Sequence, residues 1–291
     1  MDFLAPATWA DALLAKAEHP DAVPLAGGTD VMVELNFDHR RPPALLDLTR
    51  VPDLREWSPD ADGTIRLGAG VTYARVIDEL GDVLPGLAMA SRTVGSPQIR
   101  NRGTVGGNLG AASPAGDSHP PLLAADAVVE VASAARGTRL VPVAEFYTGV
   151  KRNALAADEL IAAVLVPSAS GPQQFCKIGT RNAMVIAVSA FGFALHPDRK
   201  AVGTGIGSAA PTPRRAGEAA AFLAGELEAA GLWESRGELP ESLAREFGHR
   251  VRDAAAPIDD VRGSAAYRLH SLSVMARRAA TWAWDDYRRA A

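Results

Sequence analysis

Apolar positions at helical spacing (Trp9, Leu13, Leu14 and Ala17) follow Thr8, which stands where a cap belongs. The pattern predicts a first helix through about Glu18, stopped by Pro20. The run Val23-Pro24-Leu25-Ala26 predicts a short strand that enters Gly27-Gly28, with Thr29 or Asp30 able to cap a second helix through about Asn36. Residues 44–48 and 65–67 read as buried strands, the second ending at Gly68-Ala69-Gly70. Thr72 opens a helix through Leu80 that turns Val76, Ile77 and Leu80 inward. Residues 94–117 break the pattern. They hold six glycines and two prolines without a sustained period, and long irregular stretches in compact domains are usually functional.

Strand patterns resume at 127–132, 139–143 and 160–166. The Ser-, Gly- and Pro-rich segment 167–174 reads as a linker. After it the grammar changes. Residues 175–179, 187–195 and 202–207 suggest a three-stranded sheet, and helices follow at about 213–224, 240–254 and 265–288. Strands first and helices afterwards indicate an α+β plan rather than βαβ alternation.

The 291 residues suggest about two domains. Apolar residues make up 47% of the chain, 56 of them alanine, which leaves enough bulky residues for cores. A formal charge of -4 excludes a broad basic field for nucleic acid. The longest apolar stretch, residues 183–195, is interrupted by Ser189 and Gly192 and is too short to span a bilayer. Met1-Asp2-Phe3 lacks the positive start of a signal peptide, so a cytoplasmic protein is expected. The single Cys176 rules out an intrachain disulfide or an iron–sulfur cluster held by this chain alone, and the histidines show no metal-ligand spacing.

Two glycine bends are the candidate chemistry. Ala26-Gly27-Gly28-Thr29-Asp30 lies between a strand and a helix start, where backbone amides can bind a pyrophosphate. It reads equally as an ordinary turn capped by Thr29. Thr104-Val105-Gly106-Gly107-Asn108 repeats the theme, with Thr104 able to donate to a phosphate oxygen; a plain sharp loop is its other reading. No Gly-Lys-Ser/Thr follows either bend, and Tyr73 stands where a dinucleotide fingerprint beginning at Gly68 needs its third glycine. Two such bends suit one long diphosphate ligand held from two sides. Acid–base candidates are few: Asp117-Ser118-His119 cannot form a triad from consecutive positions, His119 reads as a loop residue, and Asp259-Asp260 with Arg262 reads as a cap or ion pair. Good cofactor loops with poor catalytic side chains suit a protein whose cofactor carries the chemistry.

The segments AGGTDVMVELN (26–36), VGSPQIRNRGTVGGNLGAASPAGD (94–117), KIGTR (177–181) and DDVRGSAAYR (259–268), in this order, resemble the FAD-binding subunit of the molybdenum hydroxylases. This is the family of xanthine dehydrogenase and carbon monoxide dehydrogenase. The resemblance implies a two-subdomain FAD-binding domain of the vanillyl-alcohol oxidase type over 1–170 (subdomains about 1–58 and 59–170), followed by a small three-stranded sheet plus helices over 171–291. It implies non-covalent FAD held by Leu25, Ala26, Gly27, Gly28, Thr29, Asp30, Val31 and Met32 on one side. On the other side it implies Thr104, Val105, Gly106, Gly107 and Asn108. It adds contacts from Asp117, Ile161 and Lys177, and a loop at 181–186 near the flavin ring. No residue of this chain is implied to act as a catalytic acid or base. The resemblance further implies a large molybdopterin subunit and a small [2Fe–2S] subunit as partners, a dimer of heterotrimers, and NAD among the acceptors. A stand-alone FAD-dependent oxidoreductase with its own small substrate is the alternative.

Overall fold

The structure, a computed structural model, describes residues 1–290. Helix α1 (Trp9–Glu18) follows strand β1 (Asp2–Leu4) and is capped as expected, Thr8 Oγ1 accepting from the Asp11 N–H. Its inner face differs from the expectation. Ala12 and the Lys16 stem are buried, whereas Leu14 and Ala17 face outward. The Lys16 ammonium donates to the Pro20 and Ala22 carbonyls at 2.7 and 2.8 Å, so a long amphipathic chain takes the place an apolar one was assigned.

Strand β2 (Val23–Leu25), helix α2 (Val31–Asn36) and strand β3 (Ala44–Asp47) complete a small parallel sheet of order β1-β3-β2. Strand β4 (Trp57–Pro59) opens a second, antiparallel sheet with β5 (Thr64–Gly68). Helices α3 (Tyr73–Glu79), capped by Thr72, and α4 (Pro85–Thr93) follow. Helix α4 was not among the expected elements; it uses Pro85 in its first turn, where a missing N–H costs nothing.

The stretch expected to be irregular contains two short helices, α5 (Pro97–Arg100) and α6 (Val105–Ala111), capped by Ser96 and Thr104. A helix carrying three glycines has low intrinsic propensity, so no period announced it. Packing supplies the reason: a Cβ on Gly106 would lie 2.5 Å from Ala69. Helix α7 (His119–Ala124) then places His119 in the interior rather than in a loop. Strands β6 (Val128–Ser133) and β7 (Gly137–Pro142), the turn-like α8 (Val143–Phe146), the ribbon β8 (Tyr147–Gly149) with β9 (Arg152–Asn153), and β10 (Leu160–Pro167) finish this half. The five-stranded sheet has the order β4-β5-β10-β6-β7.

Strands β11 (Gln173–Ile178), β12 (Ser189–His196) and β13 (Ala201–Gly207) form the expected three-stranded sheet, which is antiparallel. The irregular linker is shorter than expected, because Gln173 and Gln174 already pair in β11. Helices α9 (Gly217–Ala229), α10 (Leu232–Ser235), α11 (Glu241–Asp253) and α12 (Ala265–Arg289) cover the sheet. Helix α9 starts later than expected because Arg214 is bridged to Ile206 of β13.

Two cores result, one running from Ala12 to Val166 and one from Phe191 to Trp284. Helix α7 joins them by lying on glycines of the β11-β12-β13 sheet. A Cβ on Gly203 would collide with the Ala124 carbonyl, and one on Gly192 would stand 2.5 Å from that of Pro120. A βαβαβ arrangement is confined to the small parallel sheet, the five-stranded and β11-β12-β13 sheets are antiparallel, and the mixture places the chain in the α+β class. Among the described residues no helix is long and apolar enough to cross a membrane.

Candidate functional site

The two glycine bends meet. A Cβ on Gly27 would collide with the Arg102 carbonyl and stand 2.9 Å from the Gly103 Cα. The first bend therefore lies directly on the segment that leads into the second. Gly28, at φ +76°, makes the turn that a side chain would strain. Both bends line one groove of about 840 Å³, within the range of cofactor sites.

The groove is rich in unspent amides. Among the described residues, the N–H groups of Gly28, Thr29, Asp30 and Val31 meet no acceptor. The N–H of Gly106 is also unpaired, although that residue is buried. Unpaired buried amides are costly, and an oxygen-rich anion would satisfy them. The Thr104 hydroxyl accepts from the Gly107 N–H at 2.9 Å, which fixes the first turn of α6.

Of the expected contacts, Ala26, Gly27, Gly28, Thr29, Asp30, Val31, Thr104, Gly106, Gly107, Asn108 and Ile161 line the groove. Leu25, Met32, Val105, Asp117 and Lys177 lie outside its lining. The Leu25 carbonyl is bonded to the Leu48 N–H at 2.9 Å, and the Met32 side chain is turned outward. Val105 is a core residue, its N–H spent on the Val71 carbonyl. Asp117 and Lys177 instead meet each other at 2.5 Å, both buried, where β11 packs beside the end of α4. Thr93 adds its hydroxyl at 3.1 Å to Asp117 and its carbonyl at 3.2 Å to Lys177. Burial pushes the Asp117 carboxyl above its ordinary range, opposed by the lysine charge. One Asp117 oxygen has no partner.

Several lining residues were not foreseen. Lys16 of α1 lies along the groove, and Arg40, Arg102 and Arg152 add cations. Lys151, in the turn between β8 and β9, reaches Glu34 of α2 at 2.6 Å, tying that turn to α2 beside the groove. That hydrogen bond holds the Glu34 carboxyl below its usual range. These residues are scattered singly through the sequence, so no local motif marked them. The pair Asp259-Asp260 serves as expected: Asp260 bonds the buried Arg268 at 2.6 Å, and Asp259 accepts from the Ala265 N–H at 2.5 Å. His119, wholly buried and bonded to the Tyr147 hydroxyl at 2.7 Å, is pushed down to about 3 by burial and is neutral at pH 7.

Groove, fold and amides together define a protein that binds a dinucleotide-sized cofactor between two α+β layers. Residues 1–169 match the family described as the FAD binding domain in molybdopterin dehydrogenase, and residues 174–283 match the CO dehydrogenase flavoprotein C-terminal domain. The chain belongs to this family of molybdenum hydroxylase flavoproteins. It is 31% identical to the xanthine dehydrogenase FAD-binding subunit of Escherichia coli O157:H7, over 94% of this chain and 92% of that one. It is 34% identical to the nicotinate dehydrogenase FAD-subunit of Eubacterium barkeri, over 70% of this chain and 71% of that one. The fold is similar to that of reconstituted CO dehydrogenase from Oligotropha carboxidovorans, with a TM-score of 0.87 at 27% identity, covering 98% of both chains.

Proposed function

We propose that the chain is the flavin subunit of a three-component molybdenum hydroxylase of the xanthine dehydrogenase type. Residues 1–170 act as the FAD-binding domain, with subdomains divided near residue 58, and 171–291 as the carboxy-terminal domain. The first bend, residues 25–32, and the start of α6, residues 104–108, hold a non-covalent FAD by its pyrophosphate. One observation carries this reading: two bends distant in sequence turn unpaired amides, one of them buried, into the same groove. Ile161 offers an apolar surface in that groove. Asp117 and Lys177, which lie outside the groove's lining, are further proposed contacts; their buried ion pair leaves one Asp117 oxygen without a partner.

FAD held there would supply the redox chemistry between a [2Fe–2S] partner as electron donor and NAD or another acceptor. The residues of this chain bind, orient and desolvate; none serves as a catalytic acid or base. A large molybdopterin subunit and the small iron–sulfur subunit are the partners, assembled as a dimer of heterotrimers in the cytoplasm.

The test is co-expression with a small cysteine-rich chain and a large molybdopterin chain. Stoichiometric flavin released by denaturation, together with a complex of all three chains, is the expected outcome. A colourless protein, or reduction of bound flavin by a small substrate without partners, would overturn it.

A further inference from the structure

We propose that Ser118 is a positioning residue for the cofactor, acting through Asn108 and resting on the flavin reading above. Ser118 stands immediately before α7, where a serine ordinarily accepts from the helix's first amides. Here the second and third helical residues are Pro120 and Pro121, which have no N–H to offer. The hydroxyl makes no capping bond. It donates instead to Asn108 Oδ1 at 2.5 Å, from a residue that is wholly buried.

The surroundings leave Asn108 little choice. Gly116 closes the same pocket, and a Cβ there would lie 2.7 Å from Asn108 Oδ1 and collide with the His119 ring. The buried Tyr73 phenol, lacking a full hydrogen bond of its own, has Ser118 as a polar neighbour. An asparagine amide can face either way, and the donor at Oδ1 decides which. With Oδ1 engaged by Ser118, the Nδ2 hydrogens remain for the groove that Asn108 lines. The amide then meets an oxygen-rich ligand as a donor. Without the serine hydroxyl it can turn its carbonyl to the same ligand, which repels it.

The experiment uses the full chain together with any partners that co-purify, and reads FAD affinity by flavin fluorescence beside the melting midpoint. Ser118→Ala should weaken FAD about fivefold to tenfold, roughly one hydrogen bond's worth. Ser118→Thr, which keeps the donor, should restore affinity. In an Asn108→Ala background, Ser118→Ala should cost nothing further, as expected of a residue acting through its neighbour. Undiminished additive losses, failure of threonine to rescue, or Ser118→Ala binding within about twofold of the parent would overturn the proposal. Should Ser118→Ala not fold, Ser118→Cys replaces it, keeping the volume with a weak donor. A parent chain that binds no FAD would instead remove the flavin reading itself.

Discussion

Ala26 and Gly107 approach each other where the two bends meet at the groove: a side chain begun at Gly107 would lie 3.7 Å from the Ala26 Cβ and 2.9 Å from Thr104 Oγ1. Space there is kept by the absence of an atom. Gly107→Val should fill it and press on the cap of α6. The expected result is at least a tenfold loss of FAD affinity, about 1.4 kcal/mol, with the far-ultraviolet circular dichroism unchanged. Flavin absorbance at full stoichiometry in that variant would contradict the assignment.

The joint between the two cores rests on glycine for the same reason. Gly203→Ala forces a methyl into the Ala124 carbonyl, backbone against backbone, and should destabilise by about 3 kcal/mol or more. Gly225→Ala, in the exposed interior of α9 with open space around it, should stabilise by about 0.5–1 kcal/mol. Urea titration of the pair separates steric need from conformational freedom.

Arg268 is a second joint. It is 3% exposed and donates to the Val188 and Ser208 carbonyls at 2.7 and 2.5 Å and to Asp260 at 2.6 Å. Arg268→Met leaves two carbonyls and a carboxylate without their donor and should cost about 3–5 kcal/mol. Lysine should not rescue it, because one ammonium cannot reproduce the planar fork. A melting curve for both variants is sufficient.

His119 predicts an acid limb. Its folded pKa is pushed down to about 3, below the free value of 6.5. Between those values the unfolded chain binds a proton that the folded chain refuses. Stability is therefore full above about pH 6.5 and falls by up to about 1.4 kcal/mol per pH unit as pH drops toward 3. Buried His196 contributes in the same direction. His119→Asn should flatten the stability profile between pH 6.5 and 4.5. The low pKa of Glu159, about 2 because of Arg139, weakens stability only below that range. An unchanged slope in the asparagine variant would refute the assignment.

The Glu34–Lys151 pair links α2 to the β8–β9 turn beside the groove. Glu34→Gln should leave the melting midpoint nearly unchanged, since exposed pairs contribute at most about 1 kcal/mol. It should speed FAD release at low salt and remove a salt dependence of release that the parent should show. Stopped-flow flavin fluorescence measures both.

What the sequence determined on its own is local or carried by long motifs. Thr8, Thr72 and the strand–glycine junction at Leu25-Ala26-Gly27 announced their elements because caps and turns depend on neighbouring residues. The succession of strands before helices in the last third was legible for the same reason. The two glycine segments were legible as candidate anion sites because each carries its amides within five residues. Tertiary structure alone decided that these segments share one groove, that α6 is a helix despite its glycines, and that Asp117 pairs with Lys177. It alone turned Lys16 inward and Leu14 outward on α1. The physical reason is common to all of these. A glycine helix, a buried ion pair or an inward lysine is unfavourable from its own sequence neighbourhood, and becomes stable only when distant segments supply the close packing or the partner charge.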